Sequence, residues 1–82
     1  MTPEQKALLN ELVWVDKERM HGEPCFRGTR VPIQTLWDHI EGSVPLEEFL
    51  IDFPSVSREQ VAKLLELAKE NLLSCLPIYA SS

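Results

Sequence analysis

Two arginines, Arg27 and Arg30, bracket Gly28-Thr29 inside the stretch Gly22-Glu23-Pro24-Cys25-Phe26-Arg27-Gly28-Thr29-Arg30-Val31-Pro32. Glycine and proline at this density hold the backbone in specific, unusual conformations, so two guanidinium groups are displayed at a fixed bend. Such a pair can grip phosphates, or carboxylates in an acidic pocket of a partner. Either arginine can instead pair with Asp16 or Glu23 and pin a small sheet to a helix. The residues leave both roles open, including one arginine in each.

Other reactive side chains are sparse. His21 and Cys25 lie close in sequence and His39 further on, which is too few ligands at the wrong spacing for a structural zinc site. A Cys25/His21 nucleophile pair has no orienting partner or oxyanion loop in the sequence. Glu47 and Glu48 are adjacent and do not share a helix face. There is no phosphate-binding glycine loop. The chain is therefore read as a non-enzyme with no metal and no cofactor. Its formal charge is −5, from eight basic and thirteen acidic side chains, which argues against a general nucleic-acid binder.

The elements that must position these groups follow from periodicity. Pro3 suits a first helical position for residues 3–12. Leu12-Val13-Trp14-Val15-Asp16 reads as a strand, and Pro24-Cys25-Phe26-Arg27 as a second that pairs with it. Pro32 stands at a helix start, Ile33, Leu36, Trp37 and Ile40 form one apolar face, and Gly42 is the expected stop. Leu46, Phe49, Leu50 and Phe53 repeat the pattern in a shorter helix ended by Pro54. Ser57-Arg58-Glu59-Gln60 matches a capping box. The inner face of the last helix is read as Val61, Leu64, Leu65, Ala68 and Leu72, with fraying near Ser74 and a stop before Pro77. Trp14, Phe26, Trp37, Phe49 and Phe53 are assigned to the core.

The expected architecture is mainly α: a small N-terminal β-hairpin followed by a three-helix bundle, in one domain over residues 1–82. Eighty-two residues bury roughly 60% of their unfolded surface, so the core is modest and association with a partner adds to stability. No apolar run approaches the roughly 18 residues of a membrane span. The first six residues are polar, without the apolar run of a secretory signal, so Cys25 and Cys75 are read as free thiols in the cytoplasm.

A short helix, a tight turn and a longer capped helix over about 46–72 have the shape of a helix-turn-helix. DNA contact would fall to Ser57, Arg58 and Lys63. The outer face, however, also carries Glu59 and Glu66, with Glu47, Glu48 and Asp52 on the preceding helix, a mixed-to-acidic surface that phosphates repel. The last turn and the short apolar tail 73–82 add Leu73, Leu76 and Tyr79. With Leu67, Leu73 and Leu76 pointing away from the inner face, this end is read as a partner or dimer surface.

These blocks resemble a known family. Met20-His21-Gly22-Glu23-Pro24-Cys25-Phe26-Arg27-Gly28-Thr29-Arg30-Val31-Pro32 and Leu50-Ile51-Asp52-Phe53-Pro54-Ser55-Val56-Ser57-Arg58-Glu59-Gln60, with the spacing between them, are similar to the prokaryotic domain of unknown function 433, regarded as VapB-like antitoxins. The resemblance covers roughly residues 13–73. It implies a winged-helix or homeodomain-like fold with a helix-turn-helix at 46–53 and 58–72. It also implies a PIN-domain-like ribonuclease toxin as partner, and operator DNA as a second one. Pro45 replaces the serine cap that relatives often carry before Leu46, so that helix starts without a side-chain cap. Lys17 stands where many relatives have proline. The expected function is an antitoxin-like, cytoplasmic, homodimeric regulator. The alternatives are a DNA-binding regulator without a toxin partner, and a plain dimerisation module.

Overall fold

Pro3 fixes the first turn of α1 (Pro3–Leu12), and Thr2 closes it with a capping box: its hydroxyl accepts from the Gln5 amide at 3.1 Å, while the Gln5 side chain accepts from the Thr2 amide at 2.9 Å. In this computed structural model, residues 1–18 and 21–76 are described. α1 runs directly into β1 (Val13–Trp14), which pairs antiparallel with β2 (Cys25–Phe26), Val13 opposite Phe26 and Trp14 opposite Cys25. Three further helices follow: α2 (Ile33–Glu41), α3 (Leu46–Asp52) and α4 (Arg58–Ser74). The described residues are thus mainly helical, with four helices and one small antiparallel hairpin. None of the helices among the described residues is long and apolar enough to cross a membrane.

The strands are shorter than the residue pattern predicts. Leu12 stays helical and buried, because the Val13 amide still donates to Leu9 O. At the other strand, Pro24 has no N–H for the ladder. Its carbonyl instead accepts from the Ile33 amide at 3.0 Å, tying the sheet to the start of α2. α2 and α3 both begin at a proline without a side-chain cap, Pro32 and Pro45, as expected for Pro45. At the end of α2 the left-handed residue is Ser43 (φ 60), not Gly42 (φ −83). Gly42 serves instead by lacking a Cβ, which would lie 3.2 Å from the Asp38 carbonyl.

The core joins Leu12, Phe26, Leu36, Phe49, Val56, Val61 and Leu64. Phe49 lies at its centre, with ring centroids 6.1 Å from Phe26 and 5.1 Å from Phe53. Three expectations are corrected here. Leu67 is buried, not outward-facing, on the helix against which α1 packs. Leu72 lies on the Val61 side of α4 yet is 64% exposed. At 17 residues, α4 is longer than α1, α2 and α3, which have 10, 9 and 7. Trp14 and Trp37 are also not core residues: both are half-buried at the surface, beside the apolar cluster.

Candidate functional site

The bend between Arg27 and Arg30 is built from hydrogen bonds that leave its backbone little freedom. Gly28 takes φ +80, a region that costs other residues energy. Thr29 is buried. Its hydroxyl donates to Phe26 O at 2.8 Å and accepts from the Val31 amide at 3.0 Å. Its own amide donates to Phe26 O, and the Phe26 amide donates to Val31 O, both at 3.0 Å. The Trp14 indole N–H donates to the Thr29 carbonyl at 2.7 Å, locking the bend to β1.

The two arginines have different surroundings. Arg27 Nε donates to the carbonyl of Asn10 on α1 at 2.7 Å, and the Arg27 amide donates to Leu12 O at 2.9 Å. The Arg27 carbonyl accepts from the Gln60 side chain at 3.1 Å, joining the bend to α4. Arg27 therefore has a structural role, through a helix carbonyl rather than through Asp16 or Glu23. Arg30 is exposed and makes no ion pair or side-chain hydrogen bond among the described residues.

Beside Arg27 opens a groove of about 890 Å³. Leu9, Val13, Val15, Ile33 and both tryptophans give it apolar walls, Leu64 of α4 contributes at its side, and Arg27 and Glu23 supply its charges. Composition did not reveal this groove. The one available signal is that Trp37 follows the inward Leu36 by one residue, a rotation of about 100° that turns it off the core.

The residues assigned to DNA contact are engaged otherwise. Ser57 caps α4: its hydroxyl accepts from the Gln60 amide at 3.0 Å, and its amide donates to Gln60 Oε1 at 2.9 Å. The Arg58 guanidinium donates to the Glu47 carboxylate of α3, which raises its pKa further above its already high value. Lys63 pairs with Glu59 at 2.8 Å. That hydrogen bond and charge hold Glu59 below its ordinary pKa and Lys63 above its own. Lys69 pairs with Glu66 at 3.0 Å. At the C-terminal end, Leu73 is half-buried and Leu76 is 38% exposed, while Tyr79 lies outside the described residues.

The remaining reactive groups have structural surroundings. Cys25 is buried in β2, and burial, with a further push from Glu23, raises its thiol pKa. Such a thiol is a poor nucleophile at neutral pH. His39 Nδ1 lies 2.8 Å from Thr35 O, and its ring packs edge-on against Phe49 and Phe53, bridging α2 and α3. His21 is exposed in the turn before Gly22, with φ 52.

A family model described as a protein of unknown function (DUF433) matches residues 13–68. The chain belongs to this family. No curated protein and no solved structure matches it. In this DUF433 chain the matched span starts at β1 and ends within α4, so it includes both arginines, both tryptophans and the Ser57 cap. It does not include α1 or the exposed end of α4.

Proposed function

We propose that this DUF433 protein is an antitoxin-like regulator that binds and neutralises a PIN-domain-like ribonuclease without catalysing a reaction itself. The observation that carries this reading is Arg30. It stands exposed on a bend clamped by Thr29, Trp14 and Val31, with no carboxylate paired to it among the described residues. A nuclease that holds its metal among carboxylates offers what an unpaired, pre-positioned guanidinium binds best, a planar acceptor taken through two parallel N–H bonds. Occupying those carboxylates removes the ligands the metal needs. The apolar groove beside Arg27 adds a surface of the kind that partner side chains bury.

Operator binding is the weaker reading. The order of α3, a five-residue connection and α4 fits a helix-turn-helix, and with it a homeodomain-like or winged-helix bundle. Yet Arg58 and Lys63 are each held by a carboxylate, and phosphates would have to displace those partners.

The test is Arg30→Ala, assayed for binding to and inhibition of a PIN-domain-like ribonuclease. A lost charge-assisted contact is worth about 1.5–3 kcal/mol, so affinity should fall roughly 10- to 100-fold and inhibition of RNA cleavage should weaken in step. The thermal midpoint should not move, because the Arg30 side chain bonds to none of the described residues. Unchanged affinity would remove Arg30 from the mechanism.

A further inference from the structure

We propose that Thr29 and Trp14 are positioning residues that aim Arg30 at the acceptor it binds, a role that rests on the reading that Arg30 makes the contact with the nuclease. The two peptide groups that flank the Arg30 Cα are each pinned by a side chain from another position. The carbonyl before it, that of Thr29, accepts from the Trp14 indole N–H at 2.7 Å. The amide after it, that of Val31, donates to the Thr29 hydroxyl at 3.0 Å. The same hydroxyl donates to the carbonyl of the fully buried Phe26 at 2.8 Å. Thr29 is itself buried, so its hydroxyl works as a bridge within the fold, with both donor and acceptor in use. Between two planar peptide groups a residue has only two soft torsions. Pinning both planes narrows those torsions at Arg30 and fixes the direction in which its side chain leaves the bend.

Arg27 shows the contrast. It is anchored through its own side chain, whose Nε donates to Asn10 O. The Arg30 side chain bonds to none of the described residues, so the clamp on its backbone is the restraint that the fold supplies there. Direction matters because a guanidinium takes a carboxylate through two parallel N–H bonds, in one plane and at one approach. A group already aimed loses less freedom when it binds. The side-chain torsions of Arg30 still rotate among their staggered wells and can recover part of the geometry when the clamp is lost. Loss of the clamp should therefore weaken binding less than loss of the guanidinium. The residue types fit this role. Valine has the shape of threonine without the hydroxyl, serine keeps the hydroxyl, and phenylalanine keeps an aromatic ring where tryptophan has one but donates nothing.

The full chain and its variants T29V, T29S, W14F, R30A and T29V combined with R30A are titrated against the same PIN-domain-like ribonuclease, each well below its own thermal midpoint. T29V and W14F should weaken binding about 3- to 10-fold, and T29S should bind within about twofold of the unmodified chain. T29V should add nothing once R30A is present, because a positioning residue acts only through the group it positions. A side chain that merely supports the fold lowers the melting temperature and moves affinity equally with and without Arg30. If T29V does not fold, W14F and its combination with R30A carry the same comparison. Spin relaxation gives a readout without the nuclease: in W14F the order parameter of the Arg30 amide should fall from about 0.85 towards about 0.6, while that of the Phe53 amide in α3 stays unchanged. An unmodified chain that does not bind, or an R30A variant that binds as tightly as it, sinks the Arg30 contact and its positioning together. Weakened binding in R30A with T29V and W14F unchanged overturns the positioning alone. So do equal losses with and without Arg30, no rescue by T29S, or an Arg30 amide as ordered in W14F as in the unmodified chain.

Discussion

Arg27 and Arg30 differ by three positions and by almost everything else. Arg27 is tied to Asn10 O, Leu12 O and Gln60, whereas Arg30 extends from a locked bend with no partner among the described residues. The bend and its two cations were legible from glycine, proline and arginine spacing. The division of labour was not, because it depends on carbonyls of α1 and an amide of α4 that only tertiary packing brings near. The cysteines also separate at this scale. Cys75 is exposed and Cys25 buried, both free. A thiol-reactive disulfide reagent should therefore modify one thiol quickly in the native protein and the second only on unfolding. Cys25 has a raised pKa in the fold, so its contribution to stability is complete below about pH 9, its unperturbed value, and is lost as pH rises through the folded value. Denaturant titrations across that range should show stability declining with pH, and Cys25→Ala should flatten the decline.

At the scale of elements, end chemistry accounts for most of what the residue pattern predicted correctly. Ser57-Arg58-Glu59-Gln60 forms the capping box its four residues announce, and Pro45 starts α3 with no side-chain cap. Thr2 and Gln5 carry the same signal, three residues apart, with Pro3 at the first helical position between them. The phase of α4 was harder to read. Periodicity places Leu72 with Val61, but whether a neighbour covers it depends on how far α1 and α3 extend. Ser57→Ala should cost about 1 kcal/mol, the usual value for an N-cap. Gln60→Ala should cost more, because it removes both its share of the cap and its bond to the Arg27 carbonyl. Urea midpoints for the two variants, compared at equal slope, measure the difference.

For the whole molecule, the margin is thin. A domain of this size has a total stability on the order of 4–12 kcal/mol. Phe49 is completely buried and touches Phe26, Phe53 and His39. Phe49→Ala should cost about 3–5 kcal/mol and leave a large part of the chain unfolded near body temperature, visible as lost ellipticity and an early melt. The mainly helical character, the small hairpin and the order of elements were readable because the helices carry their own apolar stripes and end signals. The groove was not readable. A small core has room for phenylalanine and leucine, and the larger indoles of Trp14 and Trp37 are left at its edge, where they form a wall only after β1 and α2 meet.

Gln60 uses the two ends of one amide in two places. Its oxygen holds the Ser57 amide at the start of α4, and its nitrogen holds the Arg27 carbonyl in the bend. Fraying of the first turn of α4 therefore loosens the arginine bend in the same event. Amide hydrogen exchange should therefore rise together in the two segments when Gln60 is replaced by alanine, although 33 residues of sequence separate the bonded pair.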